Sequence, residues 1–240
     1  LSTERSLPEC RWSIWQAILA LILLNLFWYL ITFTLFFFLG LFVGNNNEII
    51  RQDGPIWMIL SIASSIFGFI VPLIYAHRKA GNDLFHFGDL TINRLIMAIL
   101  LTIPVIIFGL LWSYTYQIMV GKTQLQGIIH SFFYNPSILV VLVTGFYGIL
   151  AAPILEEVLF RGFLQPAIIK RFGTSLGILI TSLIFGLFHI EDPWTVIPTA
   201  VVGGTAGWLK YRTGSLGTSI VFHAIYNLFV FIITYFNLQL

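Results

Sequence analysis

The sequence predicts an all-α protein: a polytopic bundle of transmembrane helices with a polar cavity in its C-terminal half. The first observation is composition, since 58% of the 240 residues are hydrophobic and only 9% are charged, with a mean hydropathy of +0.93. A soluble domain carries about 25% charged residues, so this chain is expected to use lipid as its solvent. A nucleic-acid module is excluded, and the single cysteine, Cys10, excludes an internal disulfide.

The second observation is a series of apolar stretches, each close to the ~20 residues that a spanning helix needs. Short polar connectors separate them, so no second globular domain is expected. The first stretch is too long for the ~7–15-residue apolar region of a signal peptide; we interpret it as a retained span, and a bend within it would raise the count from seven spans to eight. The stretches are Trp12–Val43, Pro55–Ala76, Leu95–Val120, Ser137–Leu155, Gly173–Ile190, Pro193–Leu209 and Leu216–Leu238.

The distribution of Lys and Arg predicts the orientation. If the N-terminus is cytosolic, only Arg51 and Lys122 fall outside, while Arg161 lies within an apolar stretch and is set apart. We therefore expect an integral, multi-pass protein with a cytosolic N-terminus, in the cytoplasmic membrane of a bacterium or archaeon or in the endoplasmic reticulum of a eukaryote. The inside cations are Arg5, Arg11, Arg78, Lys79, Arg94, Lys170, Arg171, Lys210 and Arg212.

The third observation is that the C-terminal half places a few ionisable residues within apolar stretches, where each costs about 2.5–3.5 kcal/mol on insertion scales. Glu157 and Arg161 are four residues apart, share a helix face and can form a buried ion pair. Glu156 points about 100° away, lacks that cation and can face a cavity, which suits a general base that takes a proton from water. A purely structural ion-pair cluster is the alternative.

Two further polar positions lie on later stretches. His189 follows Phe185 by four residues, and a lone histidine on an apolar helix is more often a hydrogen-bonded core residue than a catalyst. His223 and Asn227 are four apart and share a helix face. Both can donate hydrogen bonds into one cavity, as an oxyanion requires, although hydrogen bonding between helices would explain them too.

Together these residues form three motifs in order: Glu-Glu-x-x-x-Arg at Glu156–Arg161, Phe-x-x-x-His at Phe185–His189 and His-x-x-x-Asn at His223–Asn227. The set resembles the CPBP family of CAAX-processing endopeptidases and bacteriocin-processing or self-immunity (Abi) proteins. We therefore divide the chain into residues 1–136, which hold three spans without a motif, and residues 137–240, a CPBP/Abi-like catalytic helix bundle.

The resemblance implies an intramembrane endopeptidase in which Glu156 and His189 activate the attacking water, while His223 and Asn227 hold the oxyanion. The substrate would be a membrane-associated peptide or lipidated protein, with prenylated CAAX-type C-termini included. The lipid bilayer is the other expected partner, and no nucleic acid is expected.

The resemblance also assigns Glu157 and Arg161 a supporting role and leaves the metal question open. Glu156, His189 and His223 are a plausible zinc set with an open position for water. The more specific His-Glu-x-x-His signature is absent, and a metal-free glutamate mechanism uses the same residues. Zinc is therefore an option, and metal-free chemistry is slightly favoured.

A non-enzymatic membrane protein is the alternative function: a transporter, or a peptide-binding or bacteriocin-immunity scaffold that uses the buried cluster structurally. The lack of a second polar set in an inverted repeat speaks against a transporter. Gly173–Gly177 matches Gly-x-Ser-x-Gly, the pattern of a hydrolase nucleophile elbow. That elbow requires a strand before the serine, whereas a basic segment precedes it here. We therefore interpret the match as small residues at the start of a membrane helix. Gly203 and Gly207, one turn apart, are expected to let two helices pack closely.

If each predicted stretch is one straight span, the motif residues lie at different depths in the membrane. His189 would lie about 24 Å along the fifth span, whereas His223 would lie only about 10 Å into the seventh. Starting the fourth span near Gly145 and ending it with residues 163–171 moves Glu156 to its middle. The remaining mismatch requires a short or tilted fifth span, or backbone that dips into a cavity.

Overall fold

The computed structural model describes residues 10–43, 55–121, 138–190 and 193–235, and within them the chain is helical and has no strand. This confirms the predicted all-α bundle. A short 3₁₀-helix, Gly81–Phe85, follows the second helix. The main helices are α1 (Ile14–Val43), α2 (Pro55–Ala80), α3 (Ile92–Val120), α4 (Ile138–Phe172), α5 (Thr174–Leu187), α6 (Val196–Thr213) and α7 (Leu216–Tyr235).

Each of the seven predicted stretches corresponds to one helix, and five of these (α1, α2, α3, α4 and α7) are long and apolar enough to cross a membrane. Many of their large apolar side chains point outwards, as Phe33 and Leu111 do, which suits contact with lipid. Helix α5 has only 14 residues, and α6 is less apolar because it contains Lys210 and Arg212. Helix α1 is one unbroken helix of 30 residues, so no bend divides it into two spans.

Helix α4 corrects the predicted end of the fourth span. The predicted stretch ended at Leu155, whereas the helix runs through residues 138–172 as one unit of 35 residues. It includes two π-helical segments, Tyr147–Ala151 and Val158–Leu164. The charges at Glu157 and Arg161 do not end the helix, because they pair with each other inside the bundle. Glu156 consequently lies near the middle of α4, as the shifted span map requires.

Helix α4 is the centre of the bundle and packs against α1, α2, α5, α6 and α7. Every residue of its second π-helical segment, Val158–Leu164, is buried. Gly162 is needed there, because a Cβ at this position would lie 2.8 Å from the carbonyl oxygen of Leu84. The segment that follows Glu156 and Glu157 is thus surrounded by packed neighbouring residues.

The predicted inside cations of the described residues lie at helix ends that the fold brings together. Lys170 Nζ donates to the carbonyl of Cys10, just before α1, at 2.7 Å. Ser215 Oγ, just before α7, donates to the carbonyl of Phe87 in the loop between α2 and α3 at 2.5 Å. The cytosolic orientation of this end stays a prediction, and Arg5, Arg51 and Lys122 lie outside the described residues.

Candidate active site

Glu157 and Arg161 form the ion pair that their spacing on α4 predicted. Arg161 Nη1 lies 3.1 Å from Glu157 Oε1, and both side chains are completely buried. Two charges can be held in such an apolar interior only when they are paired and further hydrogen-bonded. The supporting contact for Arg161 comes from α6, where the carbonyl of Gly203 accepts a hydrogen bond from Nη2 at 2.9 Å.

Aromatic rings surround the Arg161 guanidinium. Its central carbon lies 4.3 Å from the ring centroid of Phe185 and 5.8 Å from that of Phe160. The two rings pack edge to face, with centroids 5.0 Å apart. A desolvated guanidinium over an aromatic face gains on the order of 2 kcal/mol, so Phe185 is part of what makes the buried cation tolerable.

His223 lies between the two glutamates. Its Nδ1 is 2.9 Å from Glu157 Oε1, the oxygen that also faces Arg161. Its Nε2 is 3.9 Å from Glu156 Oε2. A carboxylate paired with Arg161 can only accept, so Nδ1 carries the hydrogen of this bond. Glu157 therefore fixes which nitrogen of His223 faces Glu156.

The two adjacent glutamates occupy different environments, as their positions on the helix predicted. The side chain of Glu157 is fully buried, whereas that of Glu156 is 17% exposed. Glu156 is thus the carboxylate of the pair that keeps an exposed surface. Tyr147, one of the residues that sequence reasoning did not single out, lies near enough to interact electrostatically with Glu156.

His189 lies in the turn that follows α5. Its Nδ1 is 3.0 Å from the carbonyl oxygen of Phe185, and because a carbonyl only accepts, this nitrogen carries the hydrogen. In the neutral ring, Nε2 is then a proton acceptor. The ring of Phe185 contacts both histidines, with centroid distances of 5.2 Å to His189 and 5.7 Å to His223. Phe185 therefore contacts the rings of both His189, which follows α5, and His223 on α7.

Asn227 shares a face of α7 with His223, as expected, and it contacts the first π-helical segment of α4. Its Nδ2 donates to the carbonyl of Gly148 at 2.7 Å. An amide nitrogen has two hydrogens, so one donor remains after this bond. Gly148 could not be identified from the sequence, because nothing in its local pattern marks its carbonyl as an acceptor.

The candidate zinc ligands do not fit a three-ligand site. Among the described residues, no three or more His, Cys, Asp or Glu side chains are grouped in an arrangement that could hold a metal ion. Glu156 and His223 face each other, but His189 does not complete a set with them.

Gln165 continues the polar face of α4 and was missed in the sequence. It follows Arg161 by four residues and donates from Nε2 to the carbonyl of Gly207 on α6 at 3.0 Å. The signal that could have revealed it is the repeat of polar residues at Glu157, Arg161 and Gln165, each four apart. The backbone carbonyls of Gly203 and Gly207 accept the hydrogen bonds that Arg161 and Gln165 donate from this face of α4. The sequence predicted a packing role for both glycines.

Comparisons with known proteins agree with the motifs. Residues 137–229 match the family model described as "Type II CAAX prenyl endopeptidase Rce1-like". No solved structure matches this chain.

Two curated relatives share part of the chain. The Bacillus subtilis protein named "Putative membrane peptidase YdiL" is 33% identical over 94 residues, which cover 39% of this chain and 36% of the relative, so the match spans about a third of that protein's length. The Lactococcus lactis "UPF0177 protein YxdF" is 25% identical over 128 residues, which cover 52% of this chain and 71% of the relative. The resemblance to the family of CAAX-type membrane endopeptidases is thus confirmed over residues 137–229, the segment that carries every predicted site residue.

Proposed function

We propose that the protein is an intramembrane endopeptidase that hydrolyses a peptide bond of a membrane-associated peptide. The observation that carries the proposal is the contrast between two neighbouring carboxylates. Glu157 is fully buried against Arg161 and His223, whereas the adjacent Glu156 keeps 17% of its side-chain surface exposed. One glutamate holds the site together, and the other is free to react. The match to a prenyl-endopeptidase family model supports this assignment.

In this mechanism Glu156 takes one proton from the attacking water, and the acceptor nitrogen of His189 accepts a hydrogen bond from the other hydrogen of that water. The water oxygen bonds to the peptide carbonyl carbon, and the carbonyl oxygen becomes an oxyanion. Collapse of this intermediate breaks the C–N bond, and the proton taken from water passes to the leaving nitrogen. A positioned general base of this kind contributes about 10²–10⁴-fold to the rate.

His223 and Asn227 supply hydrogen-bond donors to the oxyanion. Glu157 holds Nδ1 of His223 at 2.9 Å, which leaves Nε2 towards the reacting groups. When His223 is protonated, its charge and that of Arg161 balance the two carboxylates, so the buried cluster is neutral as a whole. Removal of one oxyanion donor typically lowers turnover by about 10²–10³-fold.

A prenylated CAAX-type peptide is the first substrate to test. The site lies within α4 and α7, two helices with the length and apolarity of membrane spans, so a substrate must reach it from the bilayer or its surface. A lipid anchor concentrates a peptide there, and each buried CH₂ of the anchor contributes about 0.8 kcal/mol. A peptide that is held at the membrane without a lipid anchor would reach the same site.

The test is cleavage in proteoliposomes of two peptides of identical sequence, one prenylated and one not. We expect cleavage of the prenylated peptide, with one ¹⁸O atom from labelled water in the new carboxyl group. The parent protein and Glu156→Gln are compared at equal folded amounts. Absence of cleavage of either peptide by the folded parent would contradict the endopeptidase proposal and leave the scaffold or transporter alternatives.

A further inference from the structure

Helix α6 contributes no ionisable side chain to the candidate site, yet it contacts the polar face of α4 twice. Arg161 donates to the carbonyl of Gly203, and one turn later Gln165 donates to the carbonyl of Gly207. Both donors are buried, with 0% and 2% of their surface exposed. The two contacts repeat at the same four-residue interval on both helices, so they fix the register of α6 against α4.

Gly203 has no room for a side chain. A Cβ there would lie 2.9 Å from Phe185 Cδ1 and 3.2 Å from Arg161 Nη2. The neighbouring Gly204 is different, because the nearest atom to its Cβ would be Ser182 Cβ at 3.6 Å, an ordinary contact. Only the first of these two adjacent glycines is required by the residues around the ion pair.

The planar guanidinium links the Gly203 contact to the reacting groups. Its Nη2 bonds to Gly203 while Nη1 faces Glu157 Oε1 at 3.1 Å, and its fixed fork geometry means that moving one nitrogen moves the other. Glu157 Oε1 in turn holds His223 Nδ1. A displacement at Gly203 therefore reaches His223 through three consecutive contacts: Gly203 to Arg161, Arg161 to Glu157, and Glu157 to His223.

We propose that Gly203 is a positioning residue for the hydrolysis: its carbonyl and its missing side chain fix Arg161, and through Glu157 they set the orientation of His223. This inference rests on the proposed endopeptidase function. It differs from a packing role, which would change stability alone. Positioning changes the transition state while the substrate-binding surface stays intact, so it lowers kcat at constant KM.

The experiment compares Gly203→Ala with its matched control, Gly204→Ala, in the proteoliposome cleavage assay. We expect Gly203→Ala to lower kcat at least about tenfold with KM unchanged, because misplacements of about 1 Å have effects of this size or larger. Gly204→Ala should keep the parental kcat. Equal kcat values for the two folded variants would overturn the proposal.

A second readout does not depend on turnover. In ¹⁵N-histidine spectra of the detergent-solubilised protein, assigned with His223→Gln, the Nδ1 signal of His223 should move in Gly203→Ala and stay in place in Gly204→Ala. Unchanged signals in both variants overturn the positioning role. A parent that gives the expected spectra but cleaves nothing contradicts the proposed function instead.

If Gly203→Ala misfolds, a second variant is measured in its place. This variant has an ester instead of the amide between residues 203 and 204. The ester weakens the Gly203 carbonyl as an acceptor without adding an atom. A lower kcat at unchanged KM is again expected, and parental kcat in the folded ester protein overturns the proposal.

Discussion

The first three helices and the last four use their polar side chains differently. In α1–α3, several of these side chains bond back to their own helix. Asn25 donates to the carbonyl of Leu21 at 2.9 Å, and the buried Ser64 donates to that of Leu60 at 2.7 Å. Such bonds satisfy the polar group locally and leave helix-to-helix contact mainly to apolar surfaces.

In α4–α7 some polar side chains also bond back to their own helix, as Thr181 does to the carbonyl of Gly177, but others reach across to neighbouring helices. Ser219 donates to the carbonyl of Ala206 at 3.0 Å, and Asn227 donates to that of Gly148. The Arg161–Gly203 contact belongs to the same group. Bonds between helices fix register and rotation, which apolar packing alone specifies weakly.

The comparison shows which half of the fold must hold its side chains in accurate positions. The half that must hold Glu156, His223 and their partners at set distances is built with directional contacts. Indole groups connect the other half to it, since Trp12 Nε1 donates to the carbonyl of Phe163 and Trp112 Nε1 donates to that of Trp194, both at 2.8 Å.

Glu157→Gln should have the largest effect on stability. It leaves Arg161 as a fully buried cation without its partner, and breaking a buried pair in this way costs about 3–5 kcal/mol. We expect a lower folded yield and a lower melting temperature in detergent, as well as lower activity. A parental melting temperature would show that the pair does not hold the C-terminal helices together.

Trp12→Phe should have a smaller effect. Phenylalanine can keep the stacking on Phe163, whose ring centroid lies 5.0 Å from that of Trp12, but it cannot donate to the Phe163 carbonyl. We expect a loss of about 1 kcal/mol in unfolding free energy, the usual net contribution of one hydrogen bond. Trp15→Phe is the control, since Trp15 is 75% exposed. Equal stability of both variants would contradict an anchoring role for the indole N–H.

Ser219→Ala and Ser64→Ala form a matched pair with the smallest expected effects. Both serines have 0% of their surface exposed, but Ser219 bonds to a neighbouring helix and Ser64 to its own. We expect Ser219→Ala to lose about 0.5–1.5 kcal/mol and Ser64→Ala to be nearly neutral. A larger loss for Ser64→Ala in thermal unfolding would reverse the proposed contrast between the two halves.

Local spacing predicted the parts of the site that lie on one helix. The Glu157–Arg161 pair and the shared face of His223 and Asn227 follow from positions four residues apart. The contact between His223 and Glu157 does not follow, because it joins residues 66 apart in sequence. It depends on the rotation of α7 against α4, which no local pattern encodes.

The prediction of the membrane spans was limited in the same way. Apolar runs located seven helices, but they placed the end of the fourth at Leu155, because hydropathy counts Glu157 and Arg161 as polar even though they neutralise each other within the bundle. The 14 residues of α5 could be inferred only as one answer to the depth mismatch. The division at residues 136 and 137 and the catalytic roles of the site residues stay predictions.

The role of Glu156 as the reacting carboxylate is tested by the cleavage rate of Glu156→Gln, measured at equal folded amount and equal melting temperature. The amide is nearly isosteric, and because the side chain is 17% exposed its loss of charge should leave the fold intact. We predict a turnover about 10²–10⁴-fold below that of the parent, as for the loss of a general base, with substrate binding retained. Near-parental cleavage by the folded variant would contradict the claim and assign the whole Glu156–Arg161 cluster a structural role.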